Sequence, residues 1–330
     1  MHRPGLGFLL AITKRPALSL HDILLPSMMT TARASAKAVV ASAASTAAVS
    51  NVCHRRPSIL LIGDSITQQA FGMNGKIGWG SLLASVYQRR ADVLARGYFG
   101  YNTNHALEIL PRILQTTISS PILFCTILFG SNDAVDYGQL QHVPMEQYRE
   151  NMRKIVQDVR TQLTLQQQQH LEKLSDYVSY GSTPPPPPPI IVMTPPPVHE
   201  DSWAAFKGVE VSTRKNNNMR HYGHIVKELV SELQHQQEGQ GQEHYKSCYQ
   251  VLDIWELLNG ASSDPKERAK YVTDGVHLNE DGNRIVYDGI MNLLKDKFPH
   301  LLPMDDTDGD GKYGKNGGIP VEEKLWTEMC

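Results

Sequence analysis

The stretch Ser58-Ile59-Leu60-Leu61-Ile62-Gly63-Asp64-Ser65-Ile66-Thr67 decides how this chain is read. Ser58–Ile62 is a short apolar run of strand length, and Gly63-Asp64 supplies the turn chemistry that ends it. An unbroken run of this kind fits a strand covered on both faces, as in a parallel sheet. Open α/β sheets gather their ligands beyond the carboxyl ends of the strands, where strand order reverses. Ser65, just past the end of the first strand, therefore stands where a nucleophile would be placed. Taken alone the tripeptide Gly63-Asp64-Ser65 is a weak signal, because all three are ordinary turn residues. The α/β-hydrolase elbow G-x-S-x-G is not met, since Thr67 occupies its second glycine position.

Outward from this stretch, short apolar runs alternate with longer amphipathic ones, the pattern of strand and helix units around a parallel sheet. Further strands are predicted at Val93–Arg96, Ile122–Phe129, Ile190–Thr194 and Gln250–Ile254. The clearest helix is Met145–Leu165, where Tyr148, Met152, Ile155, Val159 and Leu163 recur on one face. Trp79–Arg90, Asn104–Leu114, Lys215–His235 and Glu280–Phe298 complete the set, and Pro299 follows the last. Two biased segments interrupt the order. Gln166–Gln169 and Pro184–Pro189 bracket a polar insertion, about 166–189, whose proline run predicts a polyproline II spacer, and a shorter insertion covers about 236–246. Both fall between elements, where a sheet tolerates them.

The ends read differently. Residues 1–56 are rich in Ala, Ser and Thr and carry Arg3, Lys14, Arg15, Arg33, Lys37, Arg55 and Arg56 against a single acid, Asp22. Three readings stand: an organellar transit peptide, mitochondrial or plastid; a disordered tail; or an over-called start with Met28 or Met29 as the true initiator, the latter two implying a cytoplasmic protein. Gly5–Ile12, soon followed by Lys14 and Arg15, is a marginal core for a secretory signal. At the other end, 301–330 reads as a flexible acidic, Gly-rich tail. Asp305–Gly311 has the opening of a calcium loop, but Gly317 stands where the bidentate glutamate belongs, so a solvated acidic tail is the expectation. The folded core is thus expected within residues 57–300.

The 330 residues include 20% charged and 41% hydrophobic ones with a formal charge of −2, which gives no electrostatic reason to expect nucleic acid or a membrane surface as partner. The longest apolar runs, Gly5–Ile12 and Pro121–Phe129, are far shorter than the ~20 residues of a membrane helix. Cys53, Cys125, Cys248 and Cys330 are scattered, suggesting neither a zinc site nor a disulfide framework, and Cys125 reads as core. A small-molecule substrate fits this balance, and nothing in the sequence excludes a homo-oligomer.

A serine nucleophile needs a base, and the base an orienter. Of thirteen histidines, His277 stands out because Asp274 precedes it by three residues in Asp274-Gly275-Val276-His277. Both side chains can emerge from one turn, Asp274 holding Nδ1–H while Nε2 faces Ser65. The tetrahedral intermediate then needs donors for its oxyanion. Candidates are the N–H of Ser65, that of Gly100 in Gly97-Tyr98-Phe99-Gly100, and the side-chain amide of Asn132 in Gly130-Ser131-Asn132-Asp133, a donor without charge.

In order, Gly63-Asp64-Ser65, Gly100, Gly130-Ser131-Asn132-Asp133 and Asp274-Gly275-Val276-His277 resemble the four blocks of the SGNH (GDSL) hydrolases. Arg96–Thr103 and Thr194-Pro195-Pro196-Pro197-Val198 look like segments of the isoamyl acetate-hydrolysing esterase subgroup, which cleaves short-chain acyl esters. The resemblance covers roughly 57–298, less the insertions. It implies a flavodoxin-like three-layer α/β/α sandwich with a parallel five-stranded sheet in the order 2-1-3-4-5. It also implies Ser65 as nucleophile, His277 as acid and base, Asp274 as orienter, and Ser65, Gly100 and Asn132 as the oxyanion hole, with no metal or organic cofactor. Phe99 departs from the small or polar residue many members carry there, which bears on the acyl pocket. Thr194–Val198 reads either as a border of the site or as a rigid loop.

Other features are discounted. His221 and His224 have HxxH spacing but no third ligand, and read as surface helix residues. Trp203 and Phe206 line a substrate mouth or cap the core. Gly72, Gly75, Gly78 and Gly80 lack phosphate-loop spacing. The expected function is hydrolysis of small carboxylic esters. Its rivals are thioesters, lysophospholipids or acetylated sugars as substrates of the same fold, a non-catalytic flavodoxin-like binding module, and an interaction protein using its proline run.

Overall fold

The computed structural model describes residues 56–117, 120–175, 187–238 and 248–303. Most of the N-terminal extension, Pro184–Pro186 of the proline run, most of the second insertion, most of the acidic tail with its calcium-like loop, Cys53 and Cys330 lie outside the described residues.

Five strands form one sheet: β1 Ser58–Gly63, β2 Asp92–Gly97, β3 Ile122–Leu128, β4 Ile190–Met193 and β5 Tyr249–Leu252. Their order is β2-β1-β3-β4-β5 and every neighbouring pair is parallel, the order expected. Side chains alternate faces along a strand, so a strand covered twice is apolar at both parities. In β1, Leu60 and Ile62 join one core while Ile59 and Leu61 join the other. The first core is closed by α3 (Thr103–Thr117), α4 (Met145–Ser175) and α6 (Asn216–Glu238), and the second by α2 (Trp79–Val86) and α9 (Glu280–Lys297). The result is the three-layer sandwich.

The predicted strands agree with the observed ones to within two residues. The helices differ more. α2 stops at Val86 rather than Arg90, the chain turning through Arg89 at φ 61°. Conversely, α4 runs on through Gln166–Gln169 to Ser175, ten residues into the stretch expected to stay unstructured. Glutamine is a good helix former, and the Gln166 side chain is anchored on the Ser120 carbonyl. A polar, little-buried segment is thus still helical here. Similarly α6 continues to Glu238, into the start of the second insertion. Short helices α1 (Ser65–Gln68), α5 (Glu200–Lys207), α7 (Ile254–Leu257) and α8 (Pro265–Ala269) were not anticipated.

Cys125 and Cys248 are buried and free. Among the described residues no helix is long and apolar enough to cross a membrane, and no cluster of His, Cys, Asp or Glu could hold a metal ion. His221 and His224 lie on the exposed face of α6, where His224 pairs with Glu228 at 3.1 Å.

Candidate active site

Every candidate residue sits beyond a strand's carboxyl end or on a turn that reaches that edge. Ser65 follows β1, between β2 on one side and β3 on the other, which is the point where strand order reverses. Asp64 makes the serine begin a helix: its Oδ1 accepts from the Ile66 amide at 3.0 Å, capping α1. Ser65 itself is 5% exposed.

His277 arrives from 212 residues away, on a turn just before α9. The turn is closed like a hairpin, with an antiparallel bridge between Val272 and Leu278 and the Thr273 amide on the His277 carbonyl at 2.8 Å. Gly275 crosses it at φ 99°, where a Cβ would lie 2.5 Å from both the His199 carbonyl oxygen and the Trp203 nitrogen, so only glycine fits. Asn279 then caps α9 by accepting from Gly282 at 3.0 Å. This framework sets His277 Nε2 2.9 Å from Ser65 Oγ and His277 Nδ1 2.7 Å from Asp274 Oδ2.

The remaining oxygen of Asp274 accepts from the amides of Val276 at 3.0 Å and His277 at 2.9 Å. Partial burial would raise this carboxyl, but the His277 ring and the two amides outweigh it and hold the group below the ordinary aspartate range. Asp274 is therefore an anion at neutral pH.

The two further donor candidates lie at neighbouring strand ends. Gly100, at φ 75°, follows β2, and its N–H finds no acceptor among the described residues. Asn132 follows β3 and is buried; its Nδ2 donates to the Tyr101 carbonyl at 2.7 Å, leaving the second hydrogen of that amide. Gln141 bridges the two loops, its Nε2 donating to the Gly100 carbonyl at 2.7 Å and to Asn132 Oδ1 at 3.3 Å.

Three features of the site were not read from the sequence. Arg214 is buried beside Gly130–Asp133, bridged to Val135 in an antiparallel pair, and its guanidinium reaches the Ser131 carbonyl and Asn132 Oδ1. Asp64 and Asp133 are fully buried carboxyls, pushed up by burial to about 6 and about 7 respectively. Asp133 accepts from the amide and hydroxyl of Thr103, at 2.9 and 2.5 Å, tying the loop after β3 to α3. Phe99 stacks offset on the His277 ring, centroids 5.7 Å apart and planes 19° apart, while 63% exposed. Its amide is held by Gln68 Oε1 at 2.6 Å. Nothing local to Arg214, an isolated arginine far from the motifs, could have marked it.

Trp203 is buried with its ring 4.8 Å from the Arg214 guanidinium carbon, whereas Phe206 is exposed. Thr194 is locked below the sheet edge, its hydroxyl donating to Asp253 at 3.0 Å and accepting from the Trp255 amide at 3.1 Å.

A family model described as GDSL-like Lipase/Acylhydrolase matches residues 59–290. A GDSL esterase/lipase of Arabidopsis thaliana is 34% identical over 82% of this chain and 99% of its own length. An isoamyl acetate-hydrolyzing esterase 1 homolog of Mus musculus is 33% identical over 75% of this chain and 86% of its own. Among solved structures, a lipase/acylhydrolase from Enterococcus faecalis is 16% identical, with a TM-score of 0.46, over 73% of this chain and 96% of that one.

Proposed function

The chain belongs to the GDSL-like lipase/acylhydrolase family and is a carboxylic ester hydrolase, and from that premise we propose that it cleaves small, short-chain acyl esters through an acyl-Ser65 intermediate. The observation that carries this reading is the continuous hydrogen-bonded line from Ser65 Oγ through the His277 ring to Asp274, at 2.9 and 2.7 Å.

In the proposed reaction the Ser65 proton passes to His277 Nε2 as Oγ attacks the ester carbonyl. The new imidazolium faces the Asp274 carboxylate, which stabilises it without taking its proton. The carbonyl oxygen, now an alkoxide, is met in this proposal by three uncharged donors, the N–H groups of Ser65 and Gly100 and the second Nδ2 hydrogen of Asn132. Collapse expels the alcohol oxygen, which takes the proton from Nε2. A water then repeats the sequence on the acyl-serine with His277 as base, releasing the acid. No step needs a metal or organic cofactor.

The short-chain preference is supported by the likeness to the mouse relative, named as a homolog of an isoamyl acetate-hydrolyzing esterase. The exposed Phe99 ring beside the proton donor offers an apolar surface to the alcohol side of an uncharged ester. The test is a series of esters from acetate to long acyl chains, with thioester, lysophospholipid and acetylated-sugar substrates alongside, measured on the intact chain and on Ser65→Ala. The proposal expects the highest kcat/KM at acetate to butyrate and a loss of at least about 1000-fold in the variant. A maximum at long chains or in another substrate class overturns the assigned substrate. Undiminished turnover by Ser65→Ala overturns the mechanism.

A further inference from the structure

Asn132 can serve an oxyanion only with its N–H, not its oxygen, turned toward the reacting carbonyl. Its carboxamide is held in one sense by its contacts. Oδ1 accepts from Arg214 Nη2 at 2.9 Å and from Gln141 Nε2 at 3.3 Å, while Nδ2 donates to the Tyr101 carbonyl at 2.7 Å. Turned by half a circle, Nδ2 would face two donors and Oδ1 would face a carbonyl oxygen, so all three contacts become repulsive. Arg214 contributes the charged member of this set. Its Nη1 also reaches the Ser131 carbonyl, its Nη2 shares Gln141 Oε1 at 3.2 Å, and Trp203 covers its face. The fork therefore holds both the backbone and the side chain of the loop after β3.

We propose that Arg214, assisted by Gln141, is a positioning residue that fixes the Asn132 carboxamide with its N–H toward the reacting carbonyl. The proposal rests on the reading of Asn132 as an oxyanion donor. It assigns to the guanidinium a task of geometry. The alternative task is charge balance, since Asp64, Asp133 and Asp274 all pull on this cation. Lysine separates the two: it keeps the charge but lacks the planar fork that can reach Ser131 O and Asn132 Oδ1 together.

The test compares kcat, KM and Tm on a short acyl ester for Asn132→Ala, Arg214→Lys, Gln141→Leu and each of the latter two combined with Asn132→Ala. Asn132→Ala is expected to lose about 100- to 1000-fold in kcat while remaining folded. Arg214→Lys is expected to lose about 10- to 100-fold in kcat with KM within about threefold, and to cost nothing further once Asn132 is alanine. Gln141→Leu should show a smaller loss that shrinks in the Asn132→Ala background without vanishing, because Gln141 also holds the Gly100 carbonyl, and it carries the comparison if Arg214→Lys does not fold. Wild-type kcat in Arg214→Lys, or losses that multiply in the double variants, overturns the positioning role. Full turnover in Asn132→Ala by itself overturns the reading of Asn132 and the proposal with it.

Discussion

Asp274→Asn is the perturbation whose consequence the geometry states most fully. In the native protein one carboxylate oxygen accepts two amides, at 3.0 and 2.9 Å, and the other accepts the His277 Nδ1–H at 2.7 Å. Asparagine has one acceptor where aspartate has two. If its oxygen keeps the amides, its NH2 faces Nδ1, which must then be the unprotonated nitrogen. The ring proton moves to Nε2, and Nε2 presents a hydrogen to Ser65 instead of a lone pair. If the side chain turns over to restore the tautomer, two amides face an NH2 group. At about 1–3 kcal/mol for each polar group left unsatisfied, that arrangement lies about 2–6 kcal/mol higher, a factor of roughly 30 to 3 × 10⁴. Losing the anion that stabilises the imidazolium adds to this, so kcat on a p-nitrophenyl ester is expected to fall about 10³- to 10⁴-fold, with the far-ultraviolet circular dichroism unchanged. Asp274→Ala, which does not lock the wrong tautomer, should be no slower than Asp274→Asn. A folded Asp274→Asn enzyme within tenfold of the native rate would refute the reasoning.

Burial holds the Asp133 carboxyl at about 7, well above its value in an unfolded chain. Between pH 4 and 7 the folded protein therefore keeps a proton that the unfolded chain has lost, so this group's contribution to stability falls as pH rises through that window and is lowest above pH 7. Asp64, raised to about 6, acts in the same direction. Asp133→Asn removes the dependence, and its stability relative to the native protein should improve by about 3 kcal/mol from pH 5 to pH 8, read from urea midpoints; a pH-independent difference contradicts this. Phe99 stacks on the ring that delivers the proton to the departing alcohol, so Phe99→Ala should lower kcat/KM for esters of bulky apolar alcohols about 5- to 10-fold more than for methyl esters. Equal losses across the alcohols would remove Phe99 from the alcohol-binding face.

The central strands β1 and β4 could be read because they are buried on both faces, leaving the runs Ile59–Ile62 and Ile190–Met193 with no polar break. Ser65, Gly100, Asn132, Asp274 and His277 could be singled out because each is embedded in a short local pattern at an element boundary. Helix ends were harder. Gln166–Gln169 says only that the surface is polar, and whether a polar helix continues there depends on propensity and on an anchor at Ser120 that lies 46 residues earlier. Arg214 and Gln141 meet Asn132 across 82 and 9 residues in an arrangement no spacing encodes. The stack of Phe99 on His277 is likewise a product of folding, joining the loop after β2 to the turn before α9.

The central claim is that Ser65 is the residue acylated during turnover. Incubating the intact chain with a fluorophosphonate and mapping the adduct by tandem mass spectrometry tests it most directly. One equivalent of label on the peptide containing Gly63-Asp64-Ser65, with activity lost in proportion and no label in Ser65→Ala, is the expected result. Stoichiometric labelling of another residue, or full activity in protein labelled at Ser65, would contradict it.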